Sequence, residues 1–395
     1  MTKRIFVVGT ADTKGEELDY LRAVLTEIGV TPVVADVGVN EPKCRVDISN
    51  REIGRYSREP SLQGRDRGAA VQAMGDAFAG FLADYRDFDA MIGIGGSGGT
   101  SIITRGMRSL PIGLPKMMVS TLASGDVAPF VDVADIAMTP SITDLAGLNS
   151  VSRAVLRNAA FGIAGMAAAG SAATGGKPSI GLTMFGVTTP CVTRVVETLG
   201  DRYDCLVFHA TGTGGRTMEK LADSQRLAGI IDATTTEIAD YLLGGVLSAG
   251  PDRLAAVARS QAPYVGSVGA LDMVNFWGMD SVPERFRGRR LQVHNPQVTL
   301  MRTTPEECRR IGFWIANKLN VCEGPVRFLI PEKGVSALDV ENGPFFDPEA
   351  DAALFDALQE GLRVTRDRRL FRLPYHINEP EFSDALVEHF LEIAE

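Results

Sequence analysis

The sequence predicts an α/β fold built as two Rossmann-like lobes with mainly parallel sheets, the lobes related by an internal repeat. Three observations predict it. Short apolar runs alternate with amphipathic stretches of helical period; several runs end in glycine-rich turns; and the alternation restarts after a Gly/Pro break near residue 175. At 395 residues the chain exceeds what one core usually organises. Two domains are therefore expected, residues 1–175 and 178–395.

In the first lobe Ile5 to Val8 is a continuous apolar run ending in Gly9-Thr10, as befits a strand buried on both faces. Thr13-x-x-Glu16 reads as a capping box with Thr13 as N-cap, and Leu18, Leu21, Leu25 and Ile28 share a helical face that Gly29 stops. Val33 to Asp36 is the next strand. Residues 40–70 are polar and rich in arginine, including Arg58 and Arg65, and read as an inserted arm outside the core. A helix near 66–84 then leads into the strand Ala90 to Ile94 and the loop Gly95-Gly96-Ser97-Gly98-Gly99-Thr100. Strands at Lys116 to Ser120 and Asp135 to Met138 and a long helix from Ser150 precede Thr174-Gly175-Gly176-Lys177-Pro178, the domain break.

The same grammar follows the break. Ser179 to Phe185 is a strand, Thr189-Pro190 starts a helix, and Cys205 to Phe208 runs into His209-Ala210-Thr211-Gly212-Thr213-Gly214-Gly215. Gly96 to Gly99 and Gly212 to Gly215 are read as equivalent loops of the two lobes. Further strands are expected near Gly229, Tyr264, Leu291, Val326 and Phe371, with polar tips that include Asp232, Asp272, His294 and Lys333 and a closing helix from Pro380. In open parallel sheets, ligands sit beyond such strand ends.

Composition excludes several classes. A formal charge of −9 argues against a general nucleic-acid binder, which needs surplus lysine and arginine. The most apolar helical stretch, Ala159 to Ala173, falls short of a membrane span, and the N-terminus carries no signal-peptide core, so a cytoplasmic protein is expected. Five scattered cysteines with no C-x-x-C read as buried free thiols. Four histidines without H-x-x-x-H leave no dedicated transition-metal site.

The loop Gly95, Gly96, Ser97, Gly98, Gly99, Thr100 places unhindered amides at a helix start, an arrangement that binds anions. At the first strand-to-helix turn Thr10 and Thr13 offer hydroxyls, Lys14 a cation and Asp12 a metal ligand; Asp36, ending the second strand, is placed to accept from ribose hydroxyls. No G-x-x-x-x-G-K-[ST] is present, so P-loop hydrolysis machinery is not supported. In the second lobe Gly212, Thr213, Gly214 and Gly215 form a second candidate anion site, with His209 and His294 as candidate general acids or bases.

The opening Val8-Gly9-Thr10-Ala11-Asp12-Thr13-Lys14-Gly15-Glu16-Glu17, together with the loops at Gly93 to Thr100 and His209 to Gly215, resembles an uncharacterised protein family. Its plant representative is the ATP-binding domain at the N-terminal end of the tomato mosaic virus resistance protein. The resemblance covers essentially the whole chain. It implies ATP in the first lobe, on Thr10 to Lys14 and Gly95 to Thr100, and assembly as a homodimer or larger oligomer. In the plant form a TIM-barrel-like domain follows; this chain ends without one, and a separate TIM-barrel protein would supply it.

The reading is an ATP-binding protein, with or without magnesium, whose downstream reaction is unassigned. The alternative is an enzyme acting on a small phosphorylated or anionic metabolite in an inter-lobe cleft, using His209 and His294 with Asp272 or Lys333.

Overall fold

The computed structural model describes residues 2–57, 66–170 and 176–394. The chain divides into two compact units, residues 1–174 and 175–395. The Gly/Pro break expected at 174–178 falls partly outside the described residues.

In the first unit the strands are β1 (Arg4–Gly9), β2 (Thr31–Asp36), β3 (Ala90–Gly95), β4 (Lys116–Ser120) and β5 (Ile136–Pro140); the helices are α1 (Gly15–Ile28), α2 (Asn50–Gly54), α3 (Arg67–Asp84), α4 (Ser97–Ser109), α5 (Ala128–Val131) and α6 (Ser150–Ala169). All five strands are parallel in the order β2-β1-β3-β4-β5. Because side chains alternate along a strand, Ile5 and Val7 face the leucines of α1 and the apolar side of α6, whereas Phe6 and Val8 face Phe78 of α3 and Met107 of α4. Helices thus cover both faces, and the middles of β1, β3 and β4 are apolar.

Residues 40–57 do not form an arm outside the core. Ile48 bridges Ala35 at the free edge of β2, and Ile48 and Ile53 are buried against Phe6 and Phe78. The arginines face solvent while the two isoleucines anchor the segment. Residues 58–65, with Arg58, lie outside the described residues.

The second unit contains β6 (Ser179–Met184), α7 (Thr189–Leu199), β7 (Asp204–His209), α8 (Thr213–Asp223), β8 (Gly229–Thr234), α9 (Thr236–Leu243), α10 (Ala255–Ser260), β9 (Tyr264–Gly269), β10 (Met273–Phe276), β11 (Leu291–Asn295), β12 (Val298–Arg302), α11 (Pro305–Leu319), β13 (Val326–Pro331), α12 (Pro348–Gly361), β14 (Arg368–Leu373) and α13 (Pro380–Ala394). Its parallel sheet runs β7-β6-β8-β9-β13-β14, and β10-β12-β11 form a separate antiparallel sheet. Ile180 and Leu182 pack with Phe382, Leu386 and Phe390 of α13, while Ile230 and Phe328 pack with α11 and α12 on the other face.

Counted from the start of each unit, both parallel sheets begin in the order 2-1-3-4-5. The repeat is therefore one of topology. The glycine loops do not correspond within it: Gly96 to Gly99 follow the third strand of the first unit, but Gly212 to Gly215 follow the second strand of the second unit, β7. The topological counterpart of the first loop is the tip of β8, Thr235-Thr236.

Candidate functional site

In a sheet ordered 2-1-3-4-5, the chain leaves the first and third strands in opposite directions, opening a crevice between their carboxyl ends. In the first unit those ends carry the turn from Thr10 to Lys14 and the loop from Gly96 to Gly99. Both line a cavity of about 1050 Å3, joined by Gly38 and Asn40 after β2, Val71 of α3, Thr121 after β4 and Asp144.

Gly96 is the N-cap of α4 and provides no capping side chain. The first intrahelical bond runs from the Thr100 amide to the Gly96 carbonyl at 2.8 Å, which leaves the amides of Ser97, Gly98 and Gly99 without an internal acceptor, as at any uncapped helix start. These residues form part of the cavity wall, and the helix dipole adds partial positive charge there. The expected capping box at α1 does not form. Lys14 is its N-cap without a side-chain bond, because the Thr13 hydroxyl pairs instead with the Thr10 hydroxyl at 2.7 Å. The Lys14 ammonium donates to the Leu145 carbonyl, tethering it at the cavity wall.

Thr10, Asp12, Thr13, Lys14, Gly96, Ser97, Gly98 and Gly99 are therefore brought together. Three other expected ligand residues shape the site from behind. Asp36 is fully buried and accepts from the amides of Ala11 at 2.8 Å and Gly38 at 2.7 Å, so it ties the turn after β1 to the turn after β2 and has no exposed face for a ribose. Burial pushes its carboxyl pKa up, and its Oδ2 has no partner. Thr100 points to Ser120, hydroxyl to hydroxyl at 2.7 Å, fixing α4 to the end of β4. Gly95 lets α4 fold back closely: a Cβ there would lie 2.9 Å from the Gly99 carbonyl carbon and the Thr100 nitrogen. Sequence reasoning missed Asn40, which donates to Asp12 at 2.8 Å, as well as Gly38, Thr121 and Asp144. The strand-end rule could have found Thr121; nothing local marks the others.

The second glycine loop is filled from within. The Gly212 and Gly215 amides donate to Glu237 Oε1 at 2.7 and 3.1 Å, and Glu237 is fully buried and paired with Arg253 at 2.9 Å. The anion held by this nest is a side chain of the protein itself. Arg253 also binds Asp232 and Glu219, so one buried guanidinium serves three carboxylates. The loop's glycines answer to packing: Gly212 has φ +88° and a Cβ there would lie 2.7 Å from the Ser248 carbonyl.

The expected pairing of His209 and His294 fails on topology. His209 ends the edge strand β7, exposed, stacked on Phe185 with its Nδ1 3.2 Å from the Met184 carbonyl. His294 is exposed on β11 of the antiparallel sheet, so the two do not follow strand ends of one parallel sheet. Asp272 is buried behind Ser336, and Lys333 is exposed after β13. Among the described residues no cluster of His, Cys, Asp and Glu could hold a metal ion, no helix is long and apolar enough to cross a membrane, and all five cysteines are free.

Family comparison agrees with the resemblance drawn from the three loops. Models described as the N-terminal and C-terminal domains of "Uncharacterised protein family (UPF0261)" match residues 3–172 and 177–394. The chain belongs to the UPF0261 family. A UPF0261 protein of Mesorhizobium japonicum is 62% identical over 395 residues, covering 99% of each chain. A UPF0261 protein of Clostridium tetani is 44% identical over the full length of both. The ToMV resistance protein Tm-1(GCR237) of Solanum lycopersicum is 42% identical over 420 residues, which take in 99% of this chain and 56% of the plant protein.

Proposed function

We propose that the N-terminal unit of this UPF0261 protein binds a nucleoside triphosphate, ATP, with the phosphates on the amides of Ser97, Gly98 and Gly99. One observation carries this reading: an uncapped helix start opens on a cavity of about 1050 Å3 at the switch point of the sheet. Thr10, Thr13 and Lys14 then supply hydroxyl and ammonium donors from the facing turn. Asp12 and Asp144 are the wall carboxylates able to share a magnesium ion with the phosphates, since that ion commonly needs only one or two protein ligands beside phosphate and water. Without a P-loop to grip the metal, the affinity expected is micromolar or weaker, about −8 kcal/mol or less favourable.

Calorimetry with ATP, with and without magnesium, tests the reading on the intact chain and on Gly98→Val. A Cβ at Gly98 meets only Val71 Cγ2 at 3.4 Å, so this variant should fold while its side chain occupies the phosphate approach. Unchanged ATP affinity in the folded variant would refute the proposal. The same reading has the chain acting in the cytoplasm as a homodimer or larger assembly beside a separate TIM-barrel protein, and light scattering checks the first of these.

A further inference from the structure

The C-terminal unit has its own cavity of about 750 Å3, beyond the carboxyl ends of β13 and β14. Phe346, Pro348 and Phe355 give it apolar walls. Its conspicuous polar groups are mostly spent. Arg372 binds Glu332 at 2.7 Å and Asp356 at 2.9 Å. His376 contacts the Ser336 carbonyl through Nε2 at 2.9 Å and accepts from the Asn378 amide on Nδ1 at 3.1 Å, while Glu379 accepts from the His376 amide. Lys333 and Glu341 are exposed at the mouth.

Asp351, in the first turn of α12, is different. Its side chain is 10% exposed, its Oδ1 accepts from Arg302 at 2.7 Å, and among the described residues the bonds to its carboxylate all fall on Oδ1, while the residue lines the cavity. Behind it, Asp339 Oδ1 lies 3.9 Å from the same guanidinium, buried and without a hydrogen bond. Asp272 accepts from Ser336 on Oδ2 at 2.7 Å, and its Oδ1 is likewise buried and unpartnered. The other titratable neighbour is the Cys308 thiol of α11, 3.9 Å from Arg302 and pushed by burial to about 12, hence uncharged. Three carboxyl groups thus share one cation. Fully ionised, they would leave two uncompensated negative charges in a water-poor site, which is strongly disfavoured. Burial accordingly pushes Asp272 to about 7 and Asp351 to about 8.

We propose that this cavity binds an organic ammonium with an apolar body, its charged head on Asp351 Oδ2 and its body against Phe355 and Phe346. Around Asp351 three carboxyl groups face one guanidinium, Arg302; a protonated amine supplies a second positive charge and the donors together, with the short charge-assisted bond such pairs form. An anion would meet Asp351 head on. A neutral alcohol would satisfy the acceptor but leave the charge deficit.

Binding an ammonium to ionised Asp351 displaces the proton the free protein carries there below about pH 8. Affinity should then rise with pH by up to about tenfold per unit, and level off above that value. The probes are 2-phenylethylamine, 2-phenylethanol and 3-phenylpropionate, titrated into the full chain by calorimetry at pH 6.0, 7.0 and 8.5. The amine should bind tightest and tighten at least several-fold from pH 6.0 to 7.0, whereas the alcohol should bind weakly and independently of pH. Asp351→Asn, which keeps an oxygen for Arg302, should erase both the preference and the pH slope. Equal binding of amine and alcohol, tightest binding of the carboxylate, or a preference that survives Asp351→Asn would overturn the proposal. Should that variant not fold, the wild-type slope decides alone, and a flat profile between pH 6.0 and 7.0 overturns it.

Discussion

Glu237 accepts a hydrogen bond from the Gly212 amide at 2.7 Å, so the N-terminus of α8 is sealed by a carboxylate that begins the neighbouring helix α9. Replacing Glu237 with Ala removes that acceptor, orphans the Gly212 and Gly215 amides and deprives Arg253 of one of three partners. Breaking a buried pair from one side should cost about 3–5 kcal/mol, measured by urea unfolding. The emptied nest should also take up sulfate. Sulfate should therefore raise the melting temperature of Glu237→Ala more than that of the wild type; equal shifts would mean that the amides are not the site of action.

Gly95 and Gly98 stand three positions apart in one loop but should respond differently to alanine. At Gly95 the new methyl would press on the backbone of Gly99 and Thr100 at 2.9 Å, a contact that no side-chain rotation relieves. About 1–3 kcal/mol of destabilisation is expected, with α4 displaced from β3. At Gly98 the methyl has ordinary room, and stability should change by less than about 1 kcal/mol. Denaturant midpoints of the two variants, compared side by side, make the check.

Asp36→Asn distinguishes a ligand contact from a brace. The amide oxygen can still accept from Ala11 and Gly38, so ATP affinity should stay within about twofold of wild type. Asp36→Ala should weaken ATP binding and stability together by releasing both turns. A selective loss of affinity in Asp36→Asn, with stability intact, would restore the ribose contact that the sequence suggested.

The second unit should lose stability as pH rises from about 5 to 8.5. Burial pushes Asp240 and Asp272 to about 7 and Asp351 to about 8, well above the range of about 4 for an unfolded chain. Across that interval the folded state holds protons that the unfolded state has released. The stabilisation is complete below about pH 4 and fades as pH climbs through the folded values. Glu392, lowered to about 2 chiefly by its bond from Arg327, works in the opposite sense but only below about pH 4.5. Urea midpoints at pH 5.5, 7.0 and 8.5 should decline in that order, and Asp351→Asn should flatten the decline; a rising series would contradict the assignment.

His209→Gln and His294→Gln should each shift stability by less than about 0.5 kcal/mol, since both rings are exposed and bear on no buried network. A large loss of melting temperature in either would show a structural role that their surroundings do not suggest.

The parallel strands were legible because a strand covered on both faces is an unbroken apolar run, as at Ile5 to Val8 and Phe328 to Ile330. The first-unit cavity was legible because its two loops follow β1 and β3 directly. What failed depended on distant partners. Nothing near Gly212 announces that Glu237, one helix later, will occupy its nest; the glycine spacing is the same whether an anion comes from solvent or from the chain. The arginines between residues 40 and 57 hid Ile48 and Ile53, two apolar residues too few to give a period. Leu291 to Val293 read as another parallel strand because so short an apolar-polar run does not disclose its pairing sense, and His294 was misplaced with it.

The two sheets differ in when they can close. The first unit is complete by residue 174, with α6 already laid against β1 and β3, while the rest of the chain takes on the order of ten seconds or more to synthesise at ~5–20 residues per second. The second unit has no such head start. Ile180 and Leu182 of its first strand are covered by Phe382, Leu386 and Phe390 of α13, so residues among the earliest to emerge wait for some of the last. During that interval a nascent strand edge and its apolar face stay exposed at the ribosome, and chaperone capture or premature pairing should concentrate on this half of the chain.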